Sequence, residues 1–192
     1  PELQDLTIKT EEIDNLGLVS VINLNELPLD KMENKLFKKL FDILFSILFF
    51  LIIGWWLLPL IALLVWIDSR GRIIYKQERW GVNNKPIICY KFRTMQVNKS
   101  EDDFEQTTRN DPRVTSLGKI LRKFSLDELP QFWNVLKGEM SVVGPRPHPT
   151  PMNLESMKNV DNYLKRHIIK PGITGWAQIN GCRGEVRTHE EM

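Results

Sequence analysis

The sequence predicts an α+β protein: a mostly helical, membrane-associated domain with a re-entrant membrane helix and a small β-hairpin. Three observations lead there. Residues 43–67 form a run of 25 without one charge, in a chain whose overall hydrophobic content is 42%. Pro59 lies inside that run, where its ring and its missing N–H kink or break a helix. Beyond it, two apolar strand-like stretches flank a turn, and short segments with helical spacing come after them.

The apolar run is long enough to cross a bilayer. As a straight helix it would reach ~37 Å at 1.5 Å per residue, against about 30 Å of hydrocarbon. Its flanks point elsewhere. Lys35, Lys38 and Lys39 precede it, and Arg70, Arg72, Lys76 and Arg79 come after it. Basic flanks stay on the cytoplasmic side, and a single crossing separates them. A helix that turns back within one leaflet keeps them together. Just ahead, residues 31–42 read as an amphipathic basic helix, with Leu36, Phe37, Leu40 and Phe41 at helical spacing and lysines able to reach anionic headgroups.

Residues 1–30 carry seven acids and one base, a net of −6, while the remaining chain holds 17 acids and 25 bases, a net of +8. The acidic stretch contains one strand-like run over residues 18–24. A lone strand makes no domain, so residues 1–30 read as the tail of an upstream domain plus a linker. The basic remainder suits anionic lipid or phosphate-bearing ligands. It lacks any recognisable reading helix or base-stacking platform, so nucleic acid is not expected. Cys89 and Cys182 stand apart with no metal-ligand spacing and read as free thiols.

After the membrane run, Ile73–Tyr75 and Ile87–Tyr90 flank a turn around Gly81-Val82-Asn83-Asn84, a hairpin signal. Residues 100–111 are polar and read as a loop. Residues 117–124 and 126–136 read as short helices. Gly144-Pro145-Arg146-Pro147-His148-Pro149 reads as a stiff loop. Val160, Tyr163, Leu164, His167 and Ile168 keep the spacing of an amphipathic helix stopped by Pro171-Gly172.

The familiar dinucleotide, P-loop, zinc-protease and serine-hydrolase motifs are absent. The three histidines, His148, His167 and His189, are scattered, and surface or hydrogen-bonding roles are expected of them. Attention falls on Ser125-Leu126-Asp127-Glu128-Leu129-Pro130-Gln131. It has two readings. Ser125 and Glu128 match a helix capping box, with Asp127 complementing the helix dipole. Alternatively, adjacent carboxylates pointing ~100° apart on a helix divide two roles, one attacking phosphorus and the other holding Mg2+. Cations for a phosphoryl group abound: Lys91, Arg93, Arg113, Arg122, Arg146 and Arg166. Arg146 is pinned between two prolines, which presets a planar fork for phosphate or for a structural salt bridge.

Five strings occur in order: Tyr90-Lys91-Phe92-Arg93-Thr94-Met95, Asp111-Pro112-Arg113-Val114-Thr115, Ser125 through Gln131, Gly144-Pro145-Arg146-Pro147, and Lys170-Pro171-Gly172-Ile173-Thr174-Gly175-Trp176-Ala177-Gln178. Together they resemble the bacterial sugar transferases, the monotopic polyprenyl-phosphate phosphoglycosyltransferases. The likeness covers about residues 33–187, and its Asn110–Thr115 and Pro145–His148 stretches look most like the exopolysaccharide-initiating, glucose-transferring branch. Arg72 and Leu58 depart from the family's usual proline and serine at those positions.

The resemblance implies transfer of a sugar-1-phosphate from a UDP-sugar to undecaprenyl phosphate, with release of UMP, through an aspartyl-phosphosugar and with Mg2+. It implies Asp127 as nucleophile and Glu128 as its acidic partner at the metal. It further implies Arg122 and Arg146 near the phosphates and Pro59 as the break in the membrane helix. On this reading residues 68–192 are the catalytic domain, on the cytoplasmic face of the bacterial inner membrane, and end short of the family's apolar C-terminal segment. A non-catalytic membrane scaffold of a polysaccharide-assembly complex is the alternative, and self-association is left open.

Overall fold

The computed structural model describes residues 13–16, 19–22, 28–96, 111–160 and 163–181. The chain divides into two units, residues 1–38 and 39–192. The first holds two strands, β1 (Ile13–Leu16) and β2 (Val19–Ile22), paired antiparallel with Ile13 opposite Ile22. The sequence predicts one strand here, and β1 is its unforeseen partner. Asp14 and Asn15 dilute its strand signal, but a strand needs its ladder satisfied and takes the nearest segment. The 100–111 loop, apart from Asp111, and residues 182–192, which include Cys182 and His189, lie outside the described residues.

One long apolar helix comes next. Helix α1 (Met32–Phe49), a π-helical turn (Phe50–Gly54) and α2 (Trp55–Asp68) run end to end, and the 37-residue whole is long and apolar enough to cross a membrane. Only 11% of its most apolar stretch is buried inside the protein, so this is no core helix of a globule. Helical bonding continues through Pro59. The irregularity lies one turn earlier, where the Trp55 N–H donates to the Phe50 carbonyl in a widened turn. Pro59 offers no N–H to the Trp55 carbonyl, and a π turn is a recognised way to absorb such a defect.

From Asp42 to Val65 this helix packs on the domain. Near its start, Asp42 is buried and its Oδ1 accepts from Ser141 Oγ and the Val142 N–H, each at 3.0 Å. Phe49 then stacks on Phe132 with ring centroids 4.0 Å apart. Near its end, Ile61 and Val65 are buried with Phe92 and Leu121.

The hairpin forms as expected. Strands β3 (Ile74–Trp80) and β4 (Pro86–Phe92) pair antiparallel, with Gln77 opposite Cys89 and Tyr75 opposite Lys91. Asn83 and Asn84 take φ of 53° and 59° in the turn, a conformation asparagine tolerates better than most residues. Strand periodicity puts Tyr75, Gln77, Arg79, Ile87, Cys89 and Lys91 on one face. Helix α3 (Ser116–Phe124) begins at Thr115, whose hydroxyl accepts from the Gly118 N–H at 2.9 Å. A 3-10 turn (Leu126–Gln131) and α4 (Phe132–Leu136) come after it.

Three elements differ from expectation. Ser125 forms no capping box: it sits at φ 56° and closes α3, its N–H donating to the Arg122 and Leu121 carbonyls. Strands β5 (Ser141–Val143) and β6 (Gly172–Thr174) pair in parallel across 31 residues of chain, and three-residue strands leave no period to read. Helix α5 (Thr150–Asn159) starts directly after the proline-rich loop, with Pro151 in its first turn where proline is tolerated. Val160 then turns extended, at φ −124° and ψ 118°, so no helix runs through it, and Tyr163–His167 is a short 3-10 turn. Helix α6 (Trp176–Ile179) closes the described chain.

Two apolar clusters form the core. One gathers Cys89, Phe132, Val135, Met140 and Val142; the other gathers Ile61, Val65, Phe92 and Leu121. Leu129 packs on both, which fixes the 3-10 turn between them.

Replacing Asp42 by Ala removes the acceptor of the buried Val142 N–H. A loss of about 1–3 kcal/mol in stability is expected, measured by thermal unfolding in detergent, with Asp42→Asn retaining part of it through its amide oxygen.

Candidate active site

Asp127 and Glu128 sit side by side in the 3-10 turn, both buried, at 8% and 7% exposure. The turn exists because Ser125 in the left-handed region ends α3, while Leu126 and Leu129 anchor the next residues in the core. Pro130 is accommodated because the turn is 3-10 and not the interior of a longer helix.

Glu128 is the hub. Its Oε1 accepts from Lys91 Nζ at 2.7 Å and from Arg146 Nη2 at 2.9 Å, and its Oε2 from Arg146 Nη1 at 3.3 Å. Lys91 comes from β4 and Arg146 from the proline-rich loop, so one carboxylate joins three segments far apart in sequence. Burial works to raise the Glu128 carboxyl, but Lys91 and Arg146 overcome it and hold it down at about 2. Lys91 itself is lowered to about 8, first by burial and then by Arg79, against the pull of Glu128.

Asp127 fares differently. Among the described residues no cation forms an ion pair with it. Burial pushes its carboxyl up, and Glu128 adds to the rise while Lys91 and Arg122 oppose it. Arg122 is aimed from the last turn of α3 by its Nε–H, which donates to Thr94 Oγ1 at 2.8 Å.

The remaining expected cations have other neighbours. Arg166 donates to the Arg146 carbonyl at 2.7 Å and contacts His148 Nδ1 at 3.0 Å and Tyr163 Oη at 3.3 Å. It therefore stands behind Arg146. Arg113 forks onto Asp111, 2.6 Å from Nη2 to Oδ2, and lies within electrostatic reach of Arg122. Arg93 donates to the carbonyl and hydroxyl of Ser69 at the end of α2. Thus Lys91, Arg146, Asp127 and Glu128 come together with Arg122 beside them.

His148 is buried among Arg166, Arg79 and Arg146, and burial first, then those charges, lower it to about 3. It is neutral at pH 7 and bonded to Tyr163 Oη at 2.8 Å. Sequence reasoning missed one cation of this region. Arg79 counts there only as a basic flank, yet it is buried on the same hairpin face as Lys91. Strand alternation from Tyr75 carried that signal.

Residues 33–192 match the model of the family described as bacterial sugar transferase. The chain belongs to that family. It is 45% identical over 192 residues to a UDP-glucose:undecaprenyl-phosphate glucose-1-phosphate transferase of Escherichia coli K12, covering all of this chain and 41% of that protein. It is 49% identical over 187 residues to the protein of the same name in Klebsiella pneumoniae, covering 97% of this chain and 39% of that one. A UDP-N-acetylgalactosamine-undecaprenyl-phosphate N-acetylgalactosaminephosphotransferase of Aeromonas hydrophila is 42% identical over 118 residues, 62% of this chain and 28% of its own. The chain thus spans about two fifths of the length of the first two relatives.

The sugar transferase site suits anions. Arg79, Lys91, Arg122, Arg146 and Arg166 surround it, and Asp127 and Glu128 are its two acids. Among these described residues the cations outnumber the carboxylates, which suits phosphates. No three His, Cys, Asp or Glu side chains cluster for a metal among the described residues. Mg2+ does not require that: it takes one or two carboxylates and completes its shell with phosphate oxygens and water. Asp127, without an ion pair, and Glu128 Oε2, with only the 3.3 Å contact, are donors of that kind.

Glu128→Gln removes the charge that holds both cations. A stability loss on the order of 3 kcal/mol is expected from breaking the buried pairs. The Lys91 midpoint is expected to fall below its present value of about 8, since Glu128 is what raises it. Competitive acylation of Lys91 across pH measures this.

Proposed function

We propose that this chain carries the catalytic part of an enzyme that moves a hexose-1-phosphate, with glucose as the first candidate, from a UDP-sugar to undecaprenyl phosphate and releases UMP. The observation that carries the reading is a buried carboxylate, Asp127, that forms no ion pair among the described residues, beside an acid locked to two cations. The family and the names of its relatives supply the substrates.

The chemistry runs in two steps. An Asp127 carboxylate oxygen attacks the sugar-bearing phosphorus of the UDP-sugar; the bond to the UMP oxygen breaks, and UMP leaves with that electron pair. The lipid phosphate oxygen then attacks the same phosphorus, the aspartyl oxygen leaves, and Asp127 returns as a carboxylate. Burial without a partner raises the energy of the ionised Asp127 and favours its attack. Arg146, Lys91 and Arg122 neutralise charge on the phosphoryl oxygens. Mg2+, held by Asp127 and Glu128, would add Lewis-acid stabilisation of the phosphates.

The long helix sets the membrane geometry. Between Asp42 and Val65 a straight helix covers about 35 Å, more than the hydrocarbon core, yet Asp42, Phe49, Leu57 and Val65 along it all pack on the same domain. A helix that turns back within the cytoplasmic leaflet of the inner membrane accommodates this, with the π turn and Pro59 at the bend. The active site then meets a lipid phosphate at headgroup level. The reaction is the membrane step that starts an exopolysaccharide.

Asp127→Asn is expected to lower UMP release at least about a thousandfold and to leave no phosphosugar on the protein; near-normal release would remove Asp127 as nucleophile. For the unaltered enzyme, kcat/KM falls on the acid side as Asp127 takes a proton, at a pH above the ordinary aspartate value of about 3.9. It falls on the alkaline side above about 8, as Lys91 loses its proton; a profile flat through that range contradicts the assignment of Lys91. Single cysteines at positions 35 and 70 should label from the cytoplasmic face alone, and labelling from opposite faces means a true span.

A further inference from the structure

Arg79 is a buried cation to which the proposed reaction gives no task. Its acceptors are all neutral: Gln77 Oε1 takes Nε–H at 3.2 Å and Nη2–H at 2.7 Å, and the Pro147 carbonyl takes Nη1–H. Among the described residues no carboxylate pairs with it. A guanidinium buried at that cost is held for a purpose other than ion pairing.

The Pro147 carbonyl belongs to a row. Pro145, Pro147 and Pro149 have no N–H, so this loop cannot build a ladder of its own. Every carbonyl from 145 to 149 instead accepts from outside. Gly172 N–H serves Pro145 at 2.9 Å, Arg166 serves Arg146 at 2.7 Å, Arg79 serves Pro147, and Asn153 serves His148 at 3.1 Å and Pro149 at 3.0 Å through its side chain and backbone. Arg146 therefore projects from a backbone gripped on both sides, and its guanidinium meets Glu128 as a fork.

Resting on the reading of this site as a phosphoryl-transfer centre, we propose that Arg79 is a positioning residue for Arg146. It clamps the Pro147 carbonyl so that the Arg146 guanidinium faces Glu128 and the substrate phosphates, and its own unneutralised charge strengthens the field that draws in the diphosphate.

Two variants of the full-length protein separate the clamp from the charge. Arg79→Gln keeps one donor and loses the charge. Arg79→Lys keeps the charge but replaces the planar fork, so one ammonium must serve both Gln77 and Pro147. Both are expected to raise the KM for the UDP-sugar about tenfold or more, as loss of a charge-assisted bond does, with a smaller fall in kcat. The affinity for UDP, read by isothermal titration calorimetry on the full-length protein, is expected to weaken by a similar factor in both variants, and more in Arg79→Gln, which has lost the charge as well.

Unchanged KM in both variants overturns the proposal. So does activity lost in step with folded protein, judged by thermal unfolding, while the KM of the remainder stays put. If the unaltered protein releases no UMP from any UDP-sugar, the reading of the site fails by itself. The affinity for UDP still decides the claim for Arg79: weaker binding in both variants supports it, and unchanged binding overturns it.

Discussion

A loop with three alternating prolines has carbonyls to satisfy and almost no donors to offer in exchange. Much of this fold answers that constraint. The donors to residues 145–149 come from β6, the 163–167 turn, β3 and α5, so the loop is the point where late and early parts of the chain are stitched together. The stitching demands close backbone approach. A Cβ on Gly172 would lie 2.1 Å from the Gly144 nitrogen, and one on Gly144 would lie 2.3 Å from the Lys170 carbonyl oxygen. Any side chain at either place pushes the strands apart and withdraws the N–H that serves Pro145.

The loop delivers a guanidinium that no longer has to be ordered when substrate arrives. Glu128 completes that ordering by fixing Arg146 and Lys91 together. The carboxylate next to it in sequence forms no ion pair among the described residues. Adjacent residues in a tight turn point in different directions, and here Glu128 meets two cations in hydrogen-bonded ion pairs while Asp127 feels Lys91 and Arg122 only at longer range. The opposite displacement of the two acids, Glu128 down and Asp127 up, is a consequence of turn geometry rather than of residue type.

Much of this was legible in the amino-acid sequence. The hairpin announced itself through apolar strands around an asparagine-rich turn, and the two acids stood out against their basic surroundings. Other features were hidden for physical reasons. Ser125 and Glu128 have capping-box spacing, but the left-handed backbone at Ser125 uses that residue to end one helix, not to begin another. The β5–β6 pair is too short for periodicity and joins distant segments. Val160 carries the apolar spacing of a helix that its own extended backbone interrupts. Arg79 was seen as charge beside a membrane segment, because nothing local to it tells that its partner would be a proline carbonyl 68 residues away.

The long apolar helix and the acid-bearing turn are not independent parts. Phe49 and Phe50 pack on the cluster that contains Phe132, while Leu57 and Leu58 pack on the cluster that contains Phe92 and Leu121. Leu129, one residue after Glu128, touches both clusters. The turn that carries the two acids is thus wedged between cores that the apolar helix itself helps to build. On the proposed reading this settles a problem of height. A lipid phosphate cannot travel far from its headgroup plane, so the nucleophile must be held at a set distance from the bilayer. Packing the nucleophile's turn directly on the helix that lies in the bilayer sets that distance through a short chain of side-chain contacts, with no flexible linker between anchor and chemistry.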